Sequence, residues 1–96
     1  MSDKIAKLQE ATDKSKTDLD KAKAAFDDSE RRLDSAKEAL RAMDPEDQKK
    51  IQINETRLPE LMDFHRIAAE EYGVAKSRFE TNARYLQLFK AKMEKS

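Results

Sequence analysis

Ala42-Met43-Asp44-Pro45-Glu46-Asp47-Gln48-Lys49-Lys50 is the stretch that decides the fold, because it is the strong interruption in an otherwise helical sequence. Proline lacks an N–H, and its ring collides with the carbonyl four residues back, so it cannot prolong a helix. It suits the first turn of a new one, and Asp44 before it is a preferred N-cap. Glu46 and Asp47 would then occupy a first turn where the helix dipole favours negative charge. The expectation is a helix over about 3–43, a turn or kink at 44–50, and a second helix over about 50–95. Whether the chain reverses or only bends at Asp44-Pro45 decides what kind of object it is.

Upstream of the break, residues recur at alternating spacings of three and four. One series runs Ile5, Thr12, Leu19, Phe26, Leu33, Leu40; the other runs Leu8, Ser15, Ala22, Ser29, Ala36, Met43. Six unbroken heptads are a coiled-coil signal. The first series is mostly bulky, and the middle of the second is small, which leaves room for bulky side chains from a neighbour. The remaining faces alternate charges such as Lys14, Asp18, Lys21, Arg31 and Lys37, the pattern of a solvated helix surface.

Downstream, a fresh heptad frame opens at Ile51 and continues through Leu58, His65, Tyr72, Phe79, Leu86 and Met93. Its second series is Asn54, Leu61, Ala68, Ala75, Asn82 and Phe89. In an antiparallel pair, facing residues have numbers that add to a constant. A sum of 94 sets Phe26 against Ala68, Ala22 against Tyr72, Leu19 against Ala75, Ser15 against Phe79, Leu33 against Leu61 and Leu8 against Leu86, so large meets small or medium meets medium. The sum of 87 faces Ala22 with His65 and Leu40 with Asp47, a poorer match. In the favoured register Thr12 meets Asn82 in a polar layer able to fix alignment. The fold expected is therefore all-α, an antiparallel coiled-coil hairpin in a single domain. Pro59, placed inside the second helix, should kink it at a cost of about 3 kcal/mol.

The second helix is also apolar on another side. Phe64, Ile67, Val74, Tyr85 and Leu88 form a separate stripe that a two-helix hairpin cannot cover, and exposed stripes of this kind mark partner surfaces. Self-association is expected there, most simply as a homodimer with a four-helix cross-section; another protein's helix is the other helical occupant.

Composition narrows the function. The chain has 96 residues, 42% charged, with one glycine, and its 20 basic and 20 acidic residues cancel. No net field recruits nucleic acid. There is no cysteine, which suits a reducing compartment, and no apolar run approaches the roughly 20 residues of a membrane span. Asp3 and Lys4 follow Met1 without an apolar segment, so no signal peptide is expected and a cytoplasmic location follows, peripheral to membranes if it binds lipid. Asn54-Glu55-Thr56 matches a glycosylation acceptor, read as chance without secretion.

Catalytic and metal chemistry find little support. His65, the single histidine, falls on the seam opposite Ser29 and reads as a satisfied boundary residue. The Glu-x-x-His pairing of bundle metal sites and a glycine-rich phosphate loop are both missing, so no enzyme activity and no cofactor or metal is expected. From Lys76 onward the sequence places Lys76, Arg78, Arg84, Lys90, Lys92 and Lys95 against Glu80 and Glu94; six cations against two anions leave +4. Cations favour helix C-termini, and a basic surface would also meet anionic phospholipid headgroups. Tyr72, Phe79, Tyr85 and Phe89 have helix-core spacing, which does not suit stacking on nucleic-acid bases.

Leu61-Met62-Asp63-Phe64-His65-Arg66-Ile67-Ala68-Ala69-Glu70-Glu71-Tyr72 resembles the last long helix of BAR domains of the endophilin type, where an aromatic-His-Arg/Lys group precedes a small and an acidic residue. Lys23-Ala24-Ala25-Phe26-Asp27-Asp28-Ser29-Glu30 resembles the segment that opens that helix in the family. The resemblance spans roughly Leu19 to Phe79. It implies a dimeric bundle of long kinked helices that binds and shapes membranes, with Lys76, Arg78, Arg84, Lys90 and Lys92 as lipid contacts. It also implies that the Asp44-Pro45 break is a kink and the apolar stripe a bundle surface. A BAR protomer contributes three long helices, and this chain has room for two.

Overall fold

The computed structural model describes residues 2–94; Lys95, counted above in the second helix and its basic end, lies outside them. All regular structure among the described residues is helical: α1 spans Ser2–Arg41, α2 Gln48–Glu55 and α3 Arg57–Glu94. The chain forms an all-α antiparallel hairpin. Two compact units are distinguished, one of Ala24–Glu70 and one of Met1–Lys23 with Glu71–Ser96.

The Ala24–Glu70 unit contains the reversal, so the chain turns back at Asp44-Pro45 and does not merely kink. Helix α1 stops at Arg41, two residues before Met43. Asp44 is not the N-cap. Its carboxylate accepts from the Glu46 N–H (3.2 Å) and its carbonyl from the Asp47 N–H (3.0 Å), which closes a tight turn around Pro45. Proline suits the second position of such a turn, where its fixed φ is the required one. The cap is Asp47, in extended backbone, whose carboxylate accepts from the Lys49 N–H at 2.9 Å. Glu46 and Asp47 therefore precede the helix instead of lying in its first turn. The Lys50 ammonium donates to the Met43 carbonyl (3.4 Å), adding positive charge just beyond the α1 C-terminus, where the dipole favours it.

Pro59 does not sit in a helix interior. The second helix is divided at Thr56, whose N–H and hydroxyl both go to the Gln52 carbonyl (3.0 and 2.7 Å). Pro59 then falls in the first turn of α3, where no intrahelical N–H is needed. The division also turns α2 out of the expected heptad frame. Ile51 is 47% exposed and Asn54 is exposed, while Ile53 and Lys50 take the sheltered positions. From Leu58 onward the frame holds: every seam residue of α3 through Met93 is buried or half-buried, as is every residue of both α1 series.

Within Ala24–Glu70, Leu33, Leu40 and Ala68 are buried, flanked by half-buried Phe26, Ala36, Leu58 and Leu61. In the other unit Leu86 is buried with Thr12 and Ser15, flanked by half-buried Leu8, Leu19, Tyr72, Phe79 and Phe89. The Lys4 ammonium lies 5.0 Å from the centre of the Phe89 ring and Lys16 lies 5.5 Å from that of Phe79. These pairs add to 93 and 95, either side of the expected 94, and the opposite run of their numbers makes the two helices antiparallel. Such cations gain about 0.5–1 kcal/mol on an aromatic face and shelter it from water. The polar layer differs in detail from the expectation. Thr12 donates to the Leu8 carbonyl (2.7 Å) and Ser15 to the Thr12 carbonyl (2.9 Å), both within α1. Asn82 bypasses the threonine and donates to the Ala11 carbonyl at 3.5 Å.

Candidate functional site

Helix α3 carries two seams. The first faces α1. The second follows the same alternation of three and four residues: Glu60, Phe64, Ile67, Glu71, Val74, Arg78, Thr81, Tyr85, Leu88 and Lys92. At 3.6 residues per turn such spacing keeps a row on one face of an unbroken helix. The whole predicted stripe lies on it and is open to solvent: Phe64 58%, Ile67 44%, Val74 51%, Tyr85 61% and Leu88 60% exposed. Met62 is also exposed (51%) but lies on the far side of the α1 seam, and it and Ile51 join the exposed hydrophobics without belonging to the stripe. A shallow depression lined by Val74, Ser77, Arg78, Thr81 and Asn82 adjoins this face, where small side chains leave the surface low.

The five basic residues assigned to lipid contact are all exposed. They do not share a face. By helical position Lys76 and Lys90 lie along one edge of the α1 seam, Arg78 and Lys92 along the other, and Arg84 on the outer surface between them. Lys90 reaches back to the Gln9 side-chain carbonyl at 3.5 Å. Lys76, Arg78 and Arg84 form no salt bridge with another described residue.

His65 stands where expected. Its Nδ1 lies 3.0 Å from the Ser29 hydroxyl, and its ring stacks on Phe26 with centroids 5.0 Å apart. The Ser29 hydroxyl also donates to the Phe26 carbonyl at 2.7 Å. A serine nucleophile needs free backbone N–H donors beside it to hold an oxyanion. Helical backbone on both sides has its N–H groups committed. Among the described residues, no three histidine, aspartate or glutamate side chains cluster to hold a metal ion, and no helix is long and apolar enough to cross a membrane.

Periodicity did not reveal a second depression, lined by Asp28, Arg31, Arg32, Ser35, Ala36, Arg57 and Leu61. Asp28 bridges Arg32 at 3.0 Å and Arg31 at 3.8 Å, so part of this basic charge is already compensated. Its residues are scattered in sequence and gather only when the chain reverses.

No family model, curated protein or solved structure matches the chain.

Proposed function

We propose that this protein is a non-enzymatic helical scaffold that acts by presenting the second seam of α3 to another helix. The supporting observation is the row of five large hydrophobics, each 44–61% exposed, on the helix that also fills the hairpin core. A hairpin needs one apolar seam; the other has a role only when something covers it. In this reading the protein works in the cytoplasm and its ligand is proteinaceous.

A second reading, favoured by the unbridged cations Lys76, Arg78 and Arg84, is a BAR-like module that attaches to anionic membranes. The dispersal of the five cations around α3 supports it less well than a single basic face would. Two measurements separate the readings. Flotation with vesicles rich in phosphatidylserine should show no binding at any salt for the helix-binding scaffold, and binding that collapses as salt rises for the membrane module. A photo-crosslinking amino acid in place of Tyr85, used in cells, should yield adducts of discrete protein mass. Lipid adducts alone would overturn the first reading.

A further inference from the structure

We propose that the occupant of the second α3 seam is a second copy of this chain, laid antiparallel about a two-fold axis beside Ser77. The inference rests on the scaffold reading and names its partner. Its basis is the separation of charge along the seam and its flank. Toward the N-terminal end of α3 the charged members are Glu60, Asp63, Glu70 and Glu71; toward the C-terminal end they are Arg78, Arg84 and Lys92. Two copies in parallel register would set Glu71 against Glu71 and Arg78 against Arg78 within the seam, like charge on like. Reversing one copy sets acid against base.

One antiparallel register pairs the large hydrophobics of the seam with one another and leaves Glu71 facing the partner's Thr81. When facing residues add to 152, Phe64 packs on the partner's Leu88 and Ile67 on the partner's Tyr85. Glu60 then faces the partner's Lys92, and the aliphatic stem of Arg78 lies along the partner's Val74. On the flank, Glu70, which its own Arg66 bridges at 3.4 Å, comes beside the partner's Arg84, a cation that no described residue of its own chain bridges. Shifting by one heptad spoils this. A sum of 145 buries Ile67 against Arg78 and Phe64 against Thr81, and a sum of 159 sets Leu88 against Glu71 and Ile67 against Lys92. Because the pairing is its own mirror, each contact occurs twice, as an isologous dimer requires. Ser77 falls near the axis, where its small side chain and the adjoining depression let the two helices approach.

The test uses the full chain and two charge reversals on the exposed flank. Glu70→Arg alone and Arg84→Glu alone each place like charges together at two symmetric sites. Each should weaken self-association about tenfold, judged from exposed pairs worth up to about 1 kcal/mol. Mixed in equal amounts, the two variants should form a heterodimer as tight as the wild-type homodimer, since every flank pair is then complementary. Sedimentation should find the wild type near twice its 11.1 kDa. Since the chain has no cysteine, Ser77→Cys should oxidise to a disulfide-linked dimer. Glu94→Cys should not, because the two copies of that position would lie roughly 50 Å apart along the axis. A wild type that stays monomeric, variants that fail to rescue each other, or ready cross-linking at position 94 would each overturn the dimer. A monomer whose Tyr85 crosslinker still captures one discrete foreign protein would overturn the dimer and leave the scaffold reading intact. Vesicle binding without protein adducts would overturn both.

Discussion

Leu33→Ala set beside Ile51→Ala tests whether the break at Thr56 rotates α2 out of the heptad frame. Both leucine and isoleucine occupy seam positions by sequence spacing, yet Leu33 is 7% exposed and Ile51 47%. Truncating a buried leucine loses the transfer energy of the removed carbons and leaves some cavity, together about 2–5 kcal/mol. The core here is two helices thick, so neighbours can close in, and the lower part of that range applies, roughly 2–3 kcal/mol. A domain of this size shifts its midpoint about 4–8 °C per kcal/mol, so Leu33→Ala should lower it by roughly 10–20 °C. Ile51 already has about half its surface in water, and alanine is the better helix former, so its truncation should cost under about 1 kcal/mol. Ile53→Ala, in the sheltered position of α2, should cost more than Ile51→Ala. The assay is thermal and urea unfolding followed by helical circular dichroism at one fixed protein concentration, because association would otherwise contribute. If Ile51→Ala costs as much as Leu33→Ala, α2 keeps the original frame and the rotation is wrong.

Three further outcomes follow from the same geometry. Gly73 lies inside α3 with nothing within 4 Å of where a Cβ would stand, so Gly73→Ala should stabilise by about 0.5–1 kcal/mol in urea unfolding; destabilisation would mean that this face is already covered. Pro59→Ala should change stability by less than about 1 kcal/mol, since the proline occupies a helix first turn; a gain near 3 kcal/mol would place it in a helix interior after all. Ser29→Ala removes the hydroxyl that joins His65 to the Phe26 carbonyl and should cost about 0.5–1.5 kcal/mol. A double-mutant cycle with His65→Ala should recover part of that as coupling, and strict additivity would deny the bond.

Where each heptad is continuous, the sequence was enough. Every α1 seam residue and every α3 seam residue from Leu58 to Met93 is sheltered. The pairing constant was legible because side-chain volumes alternate in opposite phase on the two helices, and Ser29 meeting His65 satisfies it in full. The errors cluster where backbone hydrogen bonding competes with side-chain pattern. Spacing alone could not tell that Thr56 would divide the helix and move Pro59 into a first turn, so Ile51 and Asn54 were placed on the wrong face. Asp44 and Asp47 are both good caps, and the choice fell to Asp47 because Asp44 was already bonded within the turn. Thr12 and Asn82 are opposite each other, but a threonine hydroxyl in a helix is satisfied by the carbonyl four residues back. The basic residues from Lys76 to Lys92 look like a cluster in sequence only because sequence ignores helical angle.

The thin core and the open second seam belong to one physical problem. Among the described residues, only Leu33, Leu40, Ala68 and Leu86 are buried hydrophobics, and no large side chain is fully enclosed. Each α3 hydrophobic left outside forfeits burial that a hairpin this slight could use. Placing those residues on a row of their own, about a quarter of the helix circumference from the first seam, cannot improve the contact with α1. Such a row does suit a neighbour that brings its own hydrophobic row and reversed charges. Apolar members of the seam then supply the attraction, and the acids and bases between them select direction and register, because a slip sets apolar side chains against charged ones and a parallel approach sets like charges together. A ligand of any other kind must explain both features: why the hydrophobics alternate at helix-pairing distances, and why the charges between them change sign near Ser77.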